Sequence, residues 1–396
     1  METDKQKEER HATWLELFYD LVFVVTISQL ALYLVENLTF YGYVQFLFLF
    51  IPVWWAWVGT TFFATRFYTE DISHRLLLLM QMGGAGALAV NIHGAFGDTS
   101  TGFALSYAFI RYLLVIEYYR ALRKRSRDSN NKFNHPLIKR YIIGFSLAAT
   151  VWAVSAFIPN LEIRYVLWIL ALVIDFATPI TAGKLHSKFA PHVTHLSERM
   201  GLFILIVLGE MIVSIVIGMT EQNWNLNSVF VASLGLCMSF SIWWLYFSNS
   251  KGTAIQAVRD KNRISIYYAW LYGHFPLVIG ISAFGAGIKY IVSVEQGELL
   301  GVTFLWIICI SLSTALIAQM IIQLATRVVT RNYLKMIKKW IFFRSIFIIL
   351  ILLVPIIGSY YATSLFISGL ITIILAIQIV VDYRYNNIKN EGSSIT

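Results

Sequence analysis

The stretch Trp14-Leu-Glu-Leu-Phe-Tyr-Asp-Leu-Val-Phe-Val-Val places two carboxylates, Glu16 and Asp20, inside an apolar segment of membrane-spanning length. Residues four apart share one face of a helix, so both acids point the same way. An ionised Asp at the bilayer centre costs about 2.5 to 3.5 kcal/mol, and neutralising a Glu at pH 7 costs roughly 3.7 kcal/mol. The pattern therefore predicts a helix whose acidic face meets a protein-lined or watery pocket.

The composition indicates an integral membrane protein. Hydrophobic residues make up 58% of the 396 residues, charged residues only 13%, and the mean hydropathy is +0.66. The net charge of +9 does not indicate nucleic-acid binding, because the basic residues are spread between apolar segments. Cys237 and Cys309 both fall in apolar segments, so we expect small core residues rather than a disulfide or a metal site. We expect no cleavable signal peptide, with the first helix acting as the targeting element.

The apolar segments predict an all-α, polytopic bundle of about twelve transmembrane helices. The windows lie roughly at 14–36, 41–64, 74–95, 101–120, 139–158, 163–182, 199–219, 226–248, 264–290, 298–323, 340–358 and 362–382. Connections rich in Lys and Arg alternate with short connections that are nearly free of them. The positive-inside rule then places both termini in the cytoplasm.

Two short motifs suggest an internal repeat. Trp54-Trp55 recurs 189 residues later as Trp243-Trp244, and Ala95-Phe96-Gly97 resembles Ala283-Phe284-Gly285 near the end of each third helix. An offset of six helices would give two halves of equal orientation. We therefore predict a 6+6 parallel repeat, with a tail over 1–13, halves over 14–190 and 191–384, and a tail over 385–396. Chance recurrence in a Trp-rich chain is the alternative.

Further ionisable residues interrupt the predicted spans. Asp175 lies in the sixth and Glu210 in the seventh, while Arg111 interrupts the fourth and Arg199 opens the seventh. Under the repeat, Glu210 would be the equivalent of Asp20. One interpretation is an ionic clamp in which guanidinium groups satisfy buried carboxylates. The other is a group of acids that titrate or bind a cation in a transport pathway.

The segment before the seventh span contains His192, His195 and Glu198 at three-residue steps. This spacing could ligate a metal. A solvated face or a hydrogen-bond network at the cytoplasmic mouth explains it as well, and no fourth ligand or flanking Cys accompanies it. We therefore assign neither a metal nor a cofactor. No Ser-His-Asp order, phosphate-binding loop or dinucleotide fingerprint is present in a suitable loop.

Two long motifs resemble one known family. Ala12-Thr-Trp-Leu-Glu-Leu-Phe-Tyr-Asp-Leu-Val-Phe-Val-Val and His195-Leu-Ser-Glu-Arg-Met-Gly-Leu-Phe-Ile-Leu-Ile-Val-Leu-Gly-Glu are similar to the bacterial low temperature requirement A family. The resemblance covers the whole chain and implies a bacterial cell-membrane protein. Its characteristic positions fall on Glu16, Asp20, His195, Glu198, Arg199, Gly209 and Glu210. The family name describes a growth phenotype and implies no substrate.

We expect a secondary transporter, proton- or cation-coupled, and not an enzyme. Asp20 and Glu210 would titrate or bind a cation, Glu16 would tune Asp20 through like-charge coupling, and Arg199 or Arg111 would supply counter-charge. The expected partners are membrane lipids and a small solute or ion, without nucleic acid. The alternatives are a membrane sensor or structural factor that moves no solute, and an enzyme acting on lipid through His195 and Glu198.

Overall fold

The computed structural model describes residues 11–67, 71–126, 136–182, 193–222, 226–248, 264–326, 331–358 and 362–393. Over these residues the chain forms twelve α-helices, which confirms the predicted all-α class. They are α1 Trp14–Glu36, α2 Phe40–Arg66, α3 Ile72–Val90, α4 Ser100–Ser126, α5 Pro136–Ser155, α6 Leu161–Ile180, α7 Val193–Thr220, α8 Leu226–Phe247, α9 Ile264–Ser293, α10 Val302–Thr326, α11 Arg331–Gly358 and α12 Ser364–Ser393.

Ten of the described helices are long and apolar enough to cross a membrane, all except α3 and α4. These two coincide with predicted spans but carry more polar and charged side chains. Gln81 on α3 and Arg111 and Glu117 on α4 are all buried. Each of the three makes at least one hydrogen bond to a neighbouring side chain, which lowers the cost of burying it.

The pattern of burial is inverted relative to that of a soluble protein, and α6 shows it most clearly. Val166 and Val173 are 63% and 59% exposed, whereas Arg164 and Asp175 are 6% and 0% exposed. In water the apolar face would be covered and the charges exposed. A lipid environment reverses the preference, because it accepts apolar surface and penalises charge. The exposed side chains thus support the assignment of α6 as a membrane span.

The third predicted span extends too far. Helix α3 starts after Asp71, whose side chain accepts from the backbone N–H of His74, and it ends at Val90, with Asn91 as its C-cap. Ala95-Phe96-Gly97 therefore lies in turns beyond the helix, whereas Ala283-Phe284-Gly285 lies inside α9. The expectation that both motifs end a helix is wrong. The internal repeat and the two predicted halves stay predictions.

The described residues are divided between two compact units. The first contains the described residues of Met1–Leu30, Phe48–Phe203 and Ile255–Ile264. In it, α4 packs against both α3 and α5, and α5 packs against α6. Aromatic rings fill one core of this unit, where Tyr118 contacts Phe63 and Tyr141 edge-on. Phe145 of this core also contacts Arg111, one of the charged residues considered below.

The second unit contains the described residues of Ala31–Leu47, Ile204–Ala254 and Ser265–Thr396. Here α12 packs against α8 and α11, and α11 packs against α10. Gln319 and Gln323 on α10 donate to the carbonyls of Ile242 and Leu245 on α8. Cys309 is buried as expected, but Cys237 is exposed on α8, so its assignment to the core is wrong. Its small, weakly polar thiol can face lipid at little cost.

Candidate functional site

Two pairs of residues with four-residue spacing face each other in the first unit. Glu16 and Asp20 lie on α1 and are 3% and 0% exposed. His195 and Arg199 lie on α7 and are equally buried. Because both pairs have helical i, i+4 spacing, each forms a continuous patch one turn long. The predicted common face of the two acids is confirmed, and it meets the basic patch of α7.

Glu16 is the outer acid of this cluster. Its Oε2 accepts from the backbone N–H of Thr13 at 2.8 Å and from the Thr13 hydroxyl at 3.1 Å. The same oxygen lies 3.1 Å from His195 Nε2, and Oε1 lies 3.3 Å from Arg199 Nη1. Thr13 directly precedes α1, so the start of the helix is fixed by the acid that also contacts α7.

Asp20 is the inner acid, one turn further along α1. Its Oδ1 accepts from Arg199 Nη2 at 2.5 Å and from Trp57 Nε1 at 2.7 Å. The Trp57 ring stacks on Phe203 with centroids 3.9 Å apart, which fixes the indole donor. Arg199 thus contacts Glu16 through one terminal nitrogen and Asp20 through the other. One guanidinium bridges two buried carboxylates.

Several polar atoms of this cluster have no hydrogen-bond partner within the described residues: Asp20 Oδ2, Arg199 Nε and His195 Nδ1. Gln81 Nε2 also has no hydrogen-bond partner among the described residues. The other end of this side chain is satisfied, because Gln81 Oε1 accepts from the hydroxyls of Thr60 at 2.6 Å and Tyr19 at 3.2 Å. Buried polar atoms are nearly always satisfied, so an exception calls for a water, an ion or a functional group. A carboxylate oxygen is a strong acceptor, which makes Asp20 Oδ2 the most informative of the four.

Asp175 and Arg111 form a separate cluster. Arg111 Nη2 donates to Asp175 Oδ1, and the Tyr107 hydroxyl donates to Oδ2 at 2.7 Å. The guanidinium also lies 4.3 Å from the centroid of the Phe145 ring. Both oxygens of this carboxylate accept a hydrogen bond. One guanidinium is paired with one acid here, whereas Arg199 is shared between two acids. The arrangement matches the clamp interpretation for this pair.

A third buried pair lies in the second unit and was not singled out in the sequence. Asp382 Oδ2 accepts from Arg344 Nε at 3.1 Å and from Arg344 Nη2, and Oδ1 accepts from Trp340 Nε1 at 3.1 Å. Both oxygens are again used. Arg344 interrupts an apolar segment, so a charge inside a predicted span was the available signal.

The remaining predicted residues lie in different surroundings. Glu198 is partly exposed, and its Oε2 lies 3.1 Å from the backbone nitrogen of Ala12 and 3.3 Å from Nδ1 of the exposed His11. Glu210 is half-buried on α7 in the second unit, so its proposed equivalence to Asp20 stays a prediction. His192 lies outside the described residues. Within those residues, no group of three His, Cys, Asp or Glu side chains could hold a metal.

Trp57, Thr61 and Tyr107 were missed by the sequence analysis. Trp57 and Tyr107 donate to the two buried aspartates, and the Thr61 hydroxyl lies 3.4 Å from Arg199 Nη2. With 12 Trp and 21 Tyr in the chain, composition does not distinguish the ring that donates to an acid from those that only fill space.

Ten of the described helices are apolar and of membrane-spanning length, and several of them bury charged side chains in ion pairs, as in a multi-pass membrane protein. The chain belongs to the bacterial low temperature requirement A (LtrA) family, because the family's sequence model matches residues 11–380. This confirms the resemblance carried by the two motifs. A protein of Rhizobium meliloti (strain 1021), named "Uncharacterized protein RA0937", is 26% identical over 283 residues, which cover 69% of this chain and 68% of that protein.

Proposed function

We propose that the chain is a secondary transporter of the bacterial cell membrane, coupled to a proton or another cation that binds at Asp20. The observation that carries the proposal is the buried Asp20 Oδ2, which accepts no hydrogen bond from the described residues. Asp175 and Asp382 are matched references, since each uses both of its carboxylate oxygens. A proton, a cation or a water bound by such an ion would satisfy the free acceptor of Asp20.

Arg199 would couple occupancy of Asp20 to the rest of the cluster. It contacts both acids, so a charge change at Asp20 alters its attraction to Glu16 and, through Glu16, to His195. Buried charges interact strongly because the surrounding dielectric is low. Binding at Asp20 would therefore loosen or tighten the contact between α1 and α7, a change that alternating access could use.

A route between this cluster and solvent is also supported. Glu16 contacts Thr13, whose neighbour Ala12 lies against the partly exposed Glu198. The acids thus extend in steps from the partly exposed Glu198 to the buried Asp20. Both predicted mouth residues, His195 and Glu198, lie along this line, with His195 at the buried part and Glu198 at the exposed part.

The proposal is tested with purified protein in liposomes that contain a pH-sensitive dye. A panel of amino acids, sugars, nucleosides, organic acids and inorganic cations is added, and proton movement and tracer uptake are recorded. We expect at least one solute to be taken up or to move protons, with the activity lost in Asp20→Asn and retained in Asp175→Asn. The Asp175 variant is a matched control because it also removes one partner of a buried ion pair.

The proposal fails if folded, reconstituted protein moves none of these solutes and no protons. It also fails if Asp20→Asn transports as well as the wild type. The first result would favour the non-transporting membrane sensor or structural factor, for which the one-to-one pairs of Asp175 and Asp382 provide the clamps. An enzymatic role for His195 and Glu198 has no support in the geometry, because Glu198 contacts the N-terminal segment and His195 contacts Glu16.

A further inference from the structure

A groove of about 640 Å³ lies between α5 and α6 in the first unit, away from the acidic cluster. Lys139 and Arg140 line one part of it, and Ile143, Ile174 and Ala177 line another. Among the described residues that line the groove, none is acidic. It therefore combines two positive charges with an apolar wall, which is the combination that an anionic amphiphile requires.

Arg140 is held in place by protein and still has donor capacity. Its Nε donates to the carbonyl of Thr178 at 3.1 Å, and Nη2 donates to the Thr181 hydroxyl. The Nη1 group donates to no acceptor within the described residues. The exposed guanidinium is thus oriented by the end of α6 but remains able to bind an anion.

The wall of the groove is set by the close approach of the two helices. A Cβ at Gly144 would lie 2.1 Å from Thr178 Oγ1, so only glycine allows α5 to contact α6 at this level. Ile143 beside it is 70% exposed, and Leu147 one turn further along is exposed as well. These side chains give the groove an apolar extension along the surface of α5.

The depth of the charges fits a lipid headgroup. Helix α5 has 20 residues, which at 1.5 Å per residue is about the thickness of the hydrocarbon core. Lys139 and Arg140 fall near its first residue, Pro136, and Thr178 and Thr181 lie at the end of α6. The cations are therefore at the end of both spans, where phosphate groups of the bilayer lie.

We infer that this groove binds an anionic phospholipid of the membrane. Its phosphate would contact Lys139 and Arg140, and one acyl chain would lie against Ile143, Ile174 and Ala177. The site is independent of Asp20 and of transport, so it stands or falls separately from the proposed function.

The test is native mass spectrometry of the full-length protein in an equimolar mixture of phosphatidylglycerol and phosphatidylcholine. The wild type should retain phosphatidylglycerol preferentially. Lys139→Gln/Arg140→Gln should reduce that preference by about ten-fold or more, as expected for two basic residues near a phosphate. Arg123→Gln/Lys124→Gln, which removes two exposed charges from α4, is the matched control and should retain the preference.

Arg140→Lys distinguishes the effect of the positive charge from that of the contacts with the end of α6. It keeps the cation and loses the two hydrogen bonds, to Thr178 and Thr181. It should retain most of the preference. Equal loss in Arg140→Lys and Arg140→Gln would show that only the end of α6 was disturbed, and would overturn the inference. So would an unchanged preference in the double variant. Thermal stabilisation by inorganic phosphate equal to that by phosphatidylglycerol would also contradict a lipid site.

Discussion

Arg199 is the residue on which the acidic cluster depends, since it contacts both Glu16 and Asp20 in the protein interior. Carboxylates that lose their guanidinium while remaining buried are strongly destabilising. Replacing Glu16, Asp20 or Arg199 by a neutral residue changes the charge balance of the whole cluster. The three residues should therefore behave as one energetic unit and not as separate contributions.

The first prediction concerns this coupling. Arg199→Gln should lower the free energy of unfolding by about 3 to 5 kcal/mol, because it leaves two buried acids without their shared partner. Adding Asp20→Asn should recover part of this loss, so that the double variant is more stable than the two single losses would predict. Denaturation in mixed detergent micelles measures each value. Additive losses would contradict the shared guanidinium, and exposed Arg123→Gln, the control, should cost less than about 0.5 kcal/mol.

The residues of the site were only partly predictable. The four-residue spacing of Glu16 and Asp20 fixed their common face, and charge inside apolar segments identified Arg199, Arg111 and Asp175. The pairing itself was not predictable, because Arg111 and Arg199 were equal candidates as counter-charge. Only tertiary packing assigns Arg111 to Asp175 and Arg199 to the acids of α1.

At the scale of the element, the start of α3 is held by a network of charged residues on α3 and α4, beginning with Asp71 just before α3. Asp71 accepts from the backbone N–H of His74 at 2.8 Å and from Arg120 Nη2 at 2.6 Å. Arg120 Nη1 also donates to the buried Glu117, which lies 2.8 Å from His74 Nδ1. The network ties the first turn of α3 to α4.

Asp71 carries a pH-dependent prediction. Partial burial raises the pKa of Asp71, but the His74 N–H and the Arg120 guanidinium outweigh it and bring the pKa below its ordinary 3.8. A lowered pKa in the folded state stabilises the protein above the ordinary value, and this stabilisation disappears as the pH falls through the folded-state pKa. Asp71→Asn, which keeps a capping oxygen, should lower the melting temperature at pH 7, and the difference should shrink below about pH 4.

The control for this prediction is Asp71→Ala, which removes the cap together with the charge. It should cost about 1 kcal/mol from the cap, and a deficit should persist at acid pH. Melting curves of the wild type and both variants from pH 3 to 8 decide the matter. A pH-independent deficit in Asp71→Asn would show that the charge of Asp71 is not used.

Gly59 on α2 provides a second test at this scale. A Cβ there would lie 2.6 Å from Arg111 Nη1 and 2.9 Å from Leu114 Cδ2, and Arg111 is fixed by Asp175. Gly59→Ala should therefore destabilise the protein by about 1 to 3 kcal/mol through overpacking. Gly83→Ala on α3 meets nothing within 4 Å and should be neutral or stabilising by about 0.5 to 1 kcal/mol. Equal effects of the two substitutions on the melting temperature would contradict this packing.

At the scale of the whole molecule, hydropathy identified the fold class and the approximate position of every described helix. Its limits are physical. In α3 and α4 the polar side chains that lower the hydropathy are buried against other protein, and a window average does not distinguish them from exposed ones. The division into two compact units depends on long-range packing, for which apolar periodicity carries no signal.

The orientation of the chain stays a prediction that fusion reporters can test. Alternation of basic and neutral loops places both termini in the cytoplasm. A fluorescent protein that matures only in the cytoplasm should be bright when fused at either terminus. A periplasmic phosphatase fused at the same positions should be inactive. The opposite pattern at one end alone would contradict the even number of spans, and the opposite pattern at both ends would contradict the predicted orientation.

Infrared difference spectroscopy of the lipid-reconstituted protein tests the central claim, ion binding at Asp20, most directly. Spectra are recorded after steps of pH and after exchange of sodium for a large organic cation. The account predicts a carboxyl signal in at least one of the two, absent from Asp20→Asn and retained in Asp175→Asn. A wild type without any carboxyl signal, or a signal that survives in Asp20→Asn, would show that Asp20 is a permanently paired structural charge.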